Sequence, residues 1–362
     1  MSARIRIGFI PLVDCAPLVV AQEKGFFVRH GLEVELNKVQ SWNQVLERLV
    51  REEFEAAHML LTMPLKWALD RGGSELVTYA FAISQHGNAI TVSNKLWRAG
   101  ARDAASIAGY LRTRPDAPLR MAVVHPHSTH EYMVRLWMEQ AGVDTEHEIA
   151  WRYVPPPQMV NELREGGIDG FAVGEPWGQR AAASKLGYIV ASSRDILPAM
   201  NEKVLGVRAR WHREHPDLHA AVLRALWEAA DWLSRPENLD EAAAMVAGKR
   251  YVNTLHGAVR AALAGELHAG GHRVLKPEGF LRFAGHGANY PDPNHARFYL
   301  ERMWRAGHVS GAQMQALDLQ AVCLDDFYRK VLAGSGLESE GRLPENPEES
   351  YPGFLERFPG PA

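Results

Sequence analysis

The sequence predicts an α/β fold of two lobes with a ligand cleft between them, followed by a largely helical C-terminal region. Three observations predict it. Strand-like runs alternate with helix-length stretches as far as residue 209, the order of crossover units in a sheet with parallel strands. Two strand-helix-strand units stand out, one opening at residue 4 and one at residue 119. From His215 onward the periodicity is helical almost throughout.

The elements follow in order. Residues 4–10 alternate apolar and polar and lead into the turn Pro11-Leu12-Val13-Asp14-Cys15-Ala16-Pro17. A helix over 18–30 ends before Gly31, and a second alternating run covers 32–36. Residues 55–60 read as a strand and 63–71 as a helix with proline in its first turn. Strands are expected over 76–83 and 89–93, and a helix and loop over 101–117. The second unit begins with a strand at 119–124. Ser128 or Thr129 caps its helix, which runs to about Gly142, with Glu131 in the capping turn. Strands at 149–154, 170–174, 188–191 and 204–209 follow, with helices over 158–166 and from Pro176 to Gly187. An apolar stripe at Leu218, Val222, Leu226 and Ala229 marks a helix over 215–234, and 240–247 and 254–267 are similar. The expected lobes are 1–94 with 201–337, and 95–200; 338–362, rich in Glu, Pro and Gly, is expected to be an extended tail.

Composition narrows the function. The chain has 362 residues, 46% hydrophobic and 23% charged, enough for a sizeable core without staples. A net charge of −3 lacks the footprint of direct nucleic-acid binding. Cys15 and Cys323 are the only cysteines and are expected to be reduced. No apolar run approaches the roughly 18 residues of a membrane span, so no membrane role is expected. The chain opens directly on a strand, without a basic stretch, apolar core and cleavage site. The expectation is a cytoplasmic protein, unless a leader has been trimmed.

Eight segments then carry a resemblance: 8–18 (Gly-Phe-Ile-Pro-Leu-Val-Asp-Cys-Ala-Pro-Leu), Ser41-Trp42, 56–65 with Ala-Ala-His-Met-Leu and Met-Pro-Leu, and Gly87-Asn88-Ala89 with its strand. Further on come Thr129-His130, Val154-Pro155-Pro156-Pro157-Gln158-Met159, Gly174-Glu175-Pro176-Trp177, and Glu202-Lys203-Val204-Leu205-Gly206. In this order they resemble the nitrate- and bicarbonate-binding proteins of the NrtA/CmpA type, and most closely the cytosolic NasS-type nitrate/nitrite sensors. The resemblance implies a two-lobed periplasmic-binding-protein type II fold. It also implies nitrate or nitrite as ligand, and a NasT-type RNA-binding antiterminator as a partner released on anion binding.

Nitrate is a flat anion with three acceptors and no donors, so its site needs donors, about one positive charge, and no carboxylate aimed at the ligand. By the resemblance Lys203 supplies the charge, His130 faces the ligand from a helix N-terminus with Thr129 beside it, and Trp42 offers an indole N–H. Asn88 stands where transporter-type relatives carry Gln, and offers a shorter amide. Each has a plainer reading: a surface lysine, a capping histidine, a core tryptophan, a turn asparagine. The stiff 155–158 segment either passes between the lobes and presents Gln158 or is a rigid linker. Glu175 is expected to serve as a structural partner or helix cap. Bicarbonate-binding relatives use acidic residues for a metal, and no clear set of carboxylates is legible here, so neither metal nor cofactor is expected. His58 and His86 lack a nucleophile-base-orienter arrangement, so no catalytic residue is named. Two alternatives remain: the substrate-binding component of a nitrate or bicarbonate ABC transporter, and a thiamine-pyrimidine-synthase-like enzyme, whose cysteine-rich motif is missing.

Overall fold

A computed structural model describes residues 3–71, 75–197 and 199–332. The first sheet contains β1 (Ala3–Phe9), β2 (Leu32–Lys38), β3 (Ala56–Leu60) and β4 (Val77–His86). The second contains β5 (Asn88–Ser93), β6 (Leu119–Val123), β7 (Ile149–Tyr153), β8 (Gly170–Gly174) and β9 (Gly187–Ser192). The chain then returns to the first sheet through β10 (Asn201–Arg208). A small hairpin, β11 (Leu267–His268) and β12 (Val274–Leu275), stands apart, and β13 (Leu281–Arg282) is added to the first sheet. The strand orders are β13-β4-β10-β3-β1-β2 and β7-β6-β8-β5-β9.

Alternation explains the first sheet. Ile5, Ile7 and Phe9 of β1 and Leu205 and Val207 of β10 face one side, packed with Leu18, Val19, Val222, Leu226 and Val246. Met59 and Val204 face the other side with Trp42, Val45 and Leu49. β1 runs parallel to β2 and β3, as crossover connections require, whereas β10 is antiparallel to β3 and β4. Gly8 of β1 lies against the Phe54 ring: a Cβ there would meet ring carbons at 2.4 and 2.5 Å. Gly8→Ala is therefore expected to destabilise the fold by about 1–3 kcal/mol through overpacking, read as a lower denaturant midpoint.

Three expectations change. The first lobe ends earlier than residue 94, because β5 pairs with β8 and β9 in the second sheet; the crossing lies at His86-Gly87, both at positive φ. The expected single helix over 18–30 is two, Ala16–Glu23 and Phe26–Arg29, broken at Gly25, which takes φ +72°. The C-terminal region is largely helical, as expected, and also carries three short strands between residues 264 and 283. It does not belong to the first lobe alone. β13 pairs with β4, while the Gln179 side chain of the second lobe bonds Glu266 O and the Tyr132 hydroxyl lies 2.8 Å from His308 Nδ1. The expected tail, 338–362, lies outside the described residues.

Candidate functional site

Five of the six expected ligand residues meet between the two sheets. Trp42 opens the helix Trp42–Val50, capped by the Ser41 hydroxyl, which accepts from Gln44 N. Asn88 opens β5 directly after the crossing at Gly87. Thr129 and His130 open the helix Thr129–Glu139, where Ser128 caps Glu131 N. Lys203 lies in β10, opposite Leu60 of β3 and Ser84 of β4. All five are buried. Gln158 is not among them. It ends the short turn Pro156–Gln158 after β7 and is exposed. The proline run follows an edge strand of the second sheet and does not cross between the lobes.

The surroundings of Lys203 differ from the expectation of a carboxylate-free site. Its Nζ lies 2.8 Å from Glu202 Oε1 and 3.0 Å from Asp14 Oδ2, all three groups buried. Neighbours on a regular strand point to opposite faces, yet Glu202 and Lys203 reach the same place. The β4–β10 register slips between Asn201 and Lys203, and such an irregularity re-aims a side chain. The Thr129 hydroxyl donates to Glu202 Oε1, so it serves this carboxylate. His58, from the middle of β3, brings Nε2 to 3.2 Å from Asp14 Oδ1. Its ring packs 5.6 Å from that of Trp42, and Lys203 Nζ stands 5.8 Å from the Trp42 ring centre. Gly174 closes the second lobe's side: a Cβ there would approach Asp14 Oδ2 at 3.1 Å.

Charge and burial fix the protonation states. Burial works against an ionised Asp14, but Lys203 and His58 outweigh it and hold the carboxyl at about 2. Glu202 is likewise lowered, with burial overcome by Lys203. Burial opposes the Lys203 ammonium, yet Asp14 and Glu202 hold its pKa above the ordinary value. His130 is driven down to about 3, chiefly by burial, and is neutral at pH 7. The Trp42 indole N–H and His130 Nδ1 are buried without a partner among the described residues.

Glu175 stands next to this group but serves the backbone. Its Oε2 accepts from Gln179 N at 3.0 Å, the helix-cap role expected of it, and burial pushes its carboxyl up to about 8. Among the described residues no group of three or more His, Cys, Asp or Glu is arranged to hold a metal ion. Asp14, His58 and Glu202 escaped the sequence reading as site residues. The signal was present in Glu202-Lys203 and in the Asp14 turn, but adjacency in sequence does not reveal a register slip.

The chain is 36% identical over 308 residues to the nitrate import ATP-binding protein NrtC of Synechocystis sp., covering 84% of this chain and 46% of that protein. It spans about half the length of such relatives. It is 29% identical over 349 residues to the nitrate/nitrite binding protein NrtA of Synechococcus elongatus, covering 93% of this chain and 79% of that protein. The crystal structure of the periplasmic nitrate-binding protein NrtA from Synechocystis PCC 6803 superposes with a TM-score of 0.86 at 24% identity, covering 96% of this chain and 97% of that one. The α/β periplasmic-binding-protein fold is thus the fold of this chain. The family model described as NMT1-like matches residues 1–247, and the chain belongs to the NMT1-like family.

Proposed function

We propose that this protein binds a small oxyanion, nitrate or nitrite, in the cleft formed by Trp42, His58, Asn88, Thr129, His130 and Lys203, and that it is not an enzyme. The observation that carries this reading is a fully buried ammonium beside the Trp42 N–H, which is buried without a partner among the described residues. Buried donors without partners cost free energy that an anion with several acceptors recovers. Relatives named for nitrate and bicarbonate binding support the same ligand class. Calorimetric titration of the purified chain with nitrate, nitrite and bicarbonate tests it; no binding of any of the three refutes it. Trp42→Phe keeps the ring and removes the N–H. Its expected cost is about 1.5–3 kcal/mol of nitrate affinity with the denaturation midpoint little changed.

The finer reading is a cytosolic sensor. A ligand bridging two lobes favours their closed arrangement by its differential affinity, and a partner that binds only the open arrangement is then released by linkage. The proposed partner is a NasT-type RNA-binding antiterminator. A pull-down with and without nitrate tests this, and a complex that persists at saturating nitrate rules the release model out. The rival reading, a receptor for an ABC importer, draws support from the nitrate-import and bicarbonate-transport proteins among the relatives. Co-purification with a membrane permease, in place of an RNA-binding partner, decides for it.

A further inference from the structure

Charge in the cleft constrains what can enter it. Lys203 brings one positive charge, Asp14 and Glu202 one negative charge each, and all three are buried. Any added monoanion, hydroxylated or not, raises the buried negative charge again, so the donor pattern of the cleft must distinguish one from another.

Donor geometry supplies a second constraint. His130 Nε2 lies 2.9 Å from Asn88 Oδ1 and 3.6 Å from Glu202 Oε1. The Asn88 amide also bonds Glu202, which turns its nitrogen to the carboxylate and leaves its oxygen for His130. Both neighbours of Nε2 are therefore acceptors, so Nε2 carries the proton of the neutral ring. Nδ1 is then an acceptor, and it is buried without a partner. Nitrate consists only of acceptors and gives a neutral His130 nothing to accept. One proton on Nδ1 turns that lone pair into an N–H donor to nitrate, whereas the hydroxyl of an ion such as bicarbonate can donate to the neutral Nδ1.

We infer that a pure-acceptor anion such as nitrate enters this cleft together with one proton from solvent, taken up at His130 Nδ1, whereas an oxyanion carrying its own hydroxyl, such as bicarbonate, enters without one. This rests on reading the cleft as an anion site. The groups around His130 are Asn88 from β5, Glu202 and Lys203 from β10, Asp14 from the turn after β1, and Thr129 on its own helix. The other imidazole, His58, faces Asp14 and the Trp42 ring. The same chemistry makes His130 a discriminator: raising the pH penalises nitrate and spares the hydroxylated ion.

Calorimetry on the full chain tests this. Sodium nitrate is titrated at matched pH in PIPES and in imidazole, whose ionisation enthalpies differ. The expected result is uptake of about one proton per nitrate and a Kd that rises about tenfold for each pH unit between 6 and 8. Sodium bicarbonate at pH 8 is expected to take up essentially none. In His130→Gln, an amide gives a permanent donor and no titrating group, so the nitrate affinity that remains is expected to show no proton uptake and a Kd flat with pH. Nitrate binding to the unaltered chain without proton uptake overturns the inference, as does proton uptake that survives in His130→Gln. Failure of nitrate to bind anywhere between pH 6 and 8 instead overturns the anion-site reading, and the inference falls with it.

Discussion

Replacing Lys203 with methionine is expected to lower the unfolding free energy by about 3–5 kcal/mol at pH 7 and to abolish nitrate binding. Methionine keeps most of the stem volume, so the loss reports charge more than packing. Lys203 lies between Glu202 Oε1 and Asp14 Oδ2, both buried, and its removal leaves two carboxylates with no cation. Burial penalises ionised carboxylates, so in the variant both rise in pKa and one or both take a proton. The deficit relative to the unaltered chain should therefore shrink as the pH falls toward 4, where the proton replaces the ammonium. Urea denaturation of both proteins across that range measures the difference. A Lys203→Met protein as stable as its parent at pH 7 would show that the ion pairs carry no net stabilisation. Lys203 is thus the counter-ion that lets the first lobe bury both Asp14 and Glu202.

Acid lability is the second large effect. Burial lowers His86, His130 and His219 to about 3, so all three are neutral in the folded protein at pH 7. The sign follows from linkage: with the folded pKa below the unfolded value near 6.5, the unfolded chain binds more protons between about 3 and 6.5. Stability is thus complete above about pH 6.5 and is lost as the pH falls through that window. At pH 5 each histidine costs about 2 kcal/mol, a combined loss that rivals the whole stability of an ordinary domain. Asp14 acts in a separate, lower window, since its carboxyl, held at about 2, gives up its stabilisation only below about 3.8. His219 offers a clean control. It packs on Phe327 away from the cleft, with Nδ1 2.9 Å from His212 Nδ1, so His219→Gln should remove one proton from the pH slope of unfolding. A free energy of unfolding that is flat between pH 7 and 5 would contradict the assignment of neutral buried histidines.

Much of the architecture was legible because it depends on local periodicity. Ile5, Ile7 and Phe9 alternate, and β1 forms there with that face inward. Ser128 announces a helix start, and it caps the helix that carries Thr129 and His130. Trp42, Asn88, Thr129, His130 and Lys203 were legible by resemblance, and they meet in one buried cluster. Gln158 did not join them. A proline run fixes local extension but says nothing of where the segment lies, and here it follows an edge strand.

What the sequence by itself determined is therefore the set of elements and the two-lobed α/β class, because hydrophobic period, capping and turn chemistry act over a few residues; most of the cleft residues were implied by the resemblance alone. Tertiary structure alone decided three things. It assigned β5 to the second sheet and spread the C-terminal segment across both lobes, since strand pairing is a long-range choice. It turned Glu202 beside Lys203 through a register slip that no spacing reveals. And it brought Asp14 from the first turn of the chain to the same ammonium, replacing an expected lone positive charge with a buried network whose net charge is negative. Burial inside that network, which no spacing in the sequence reveals, is what keeps His130 neutral.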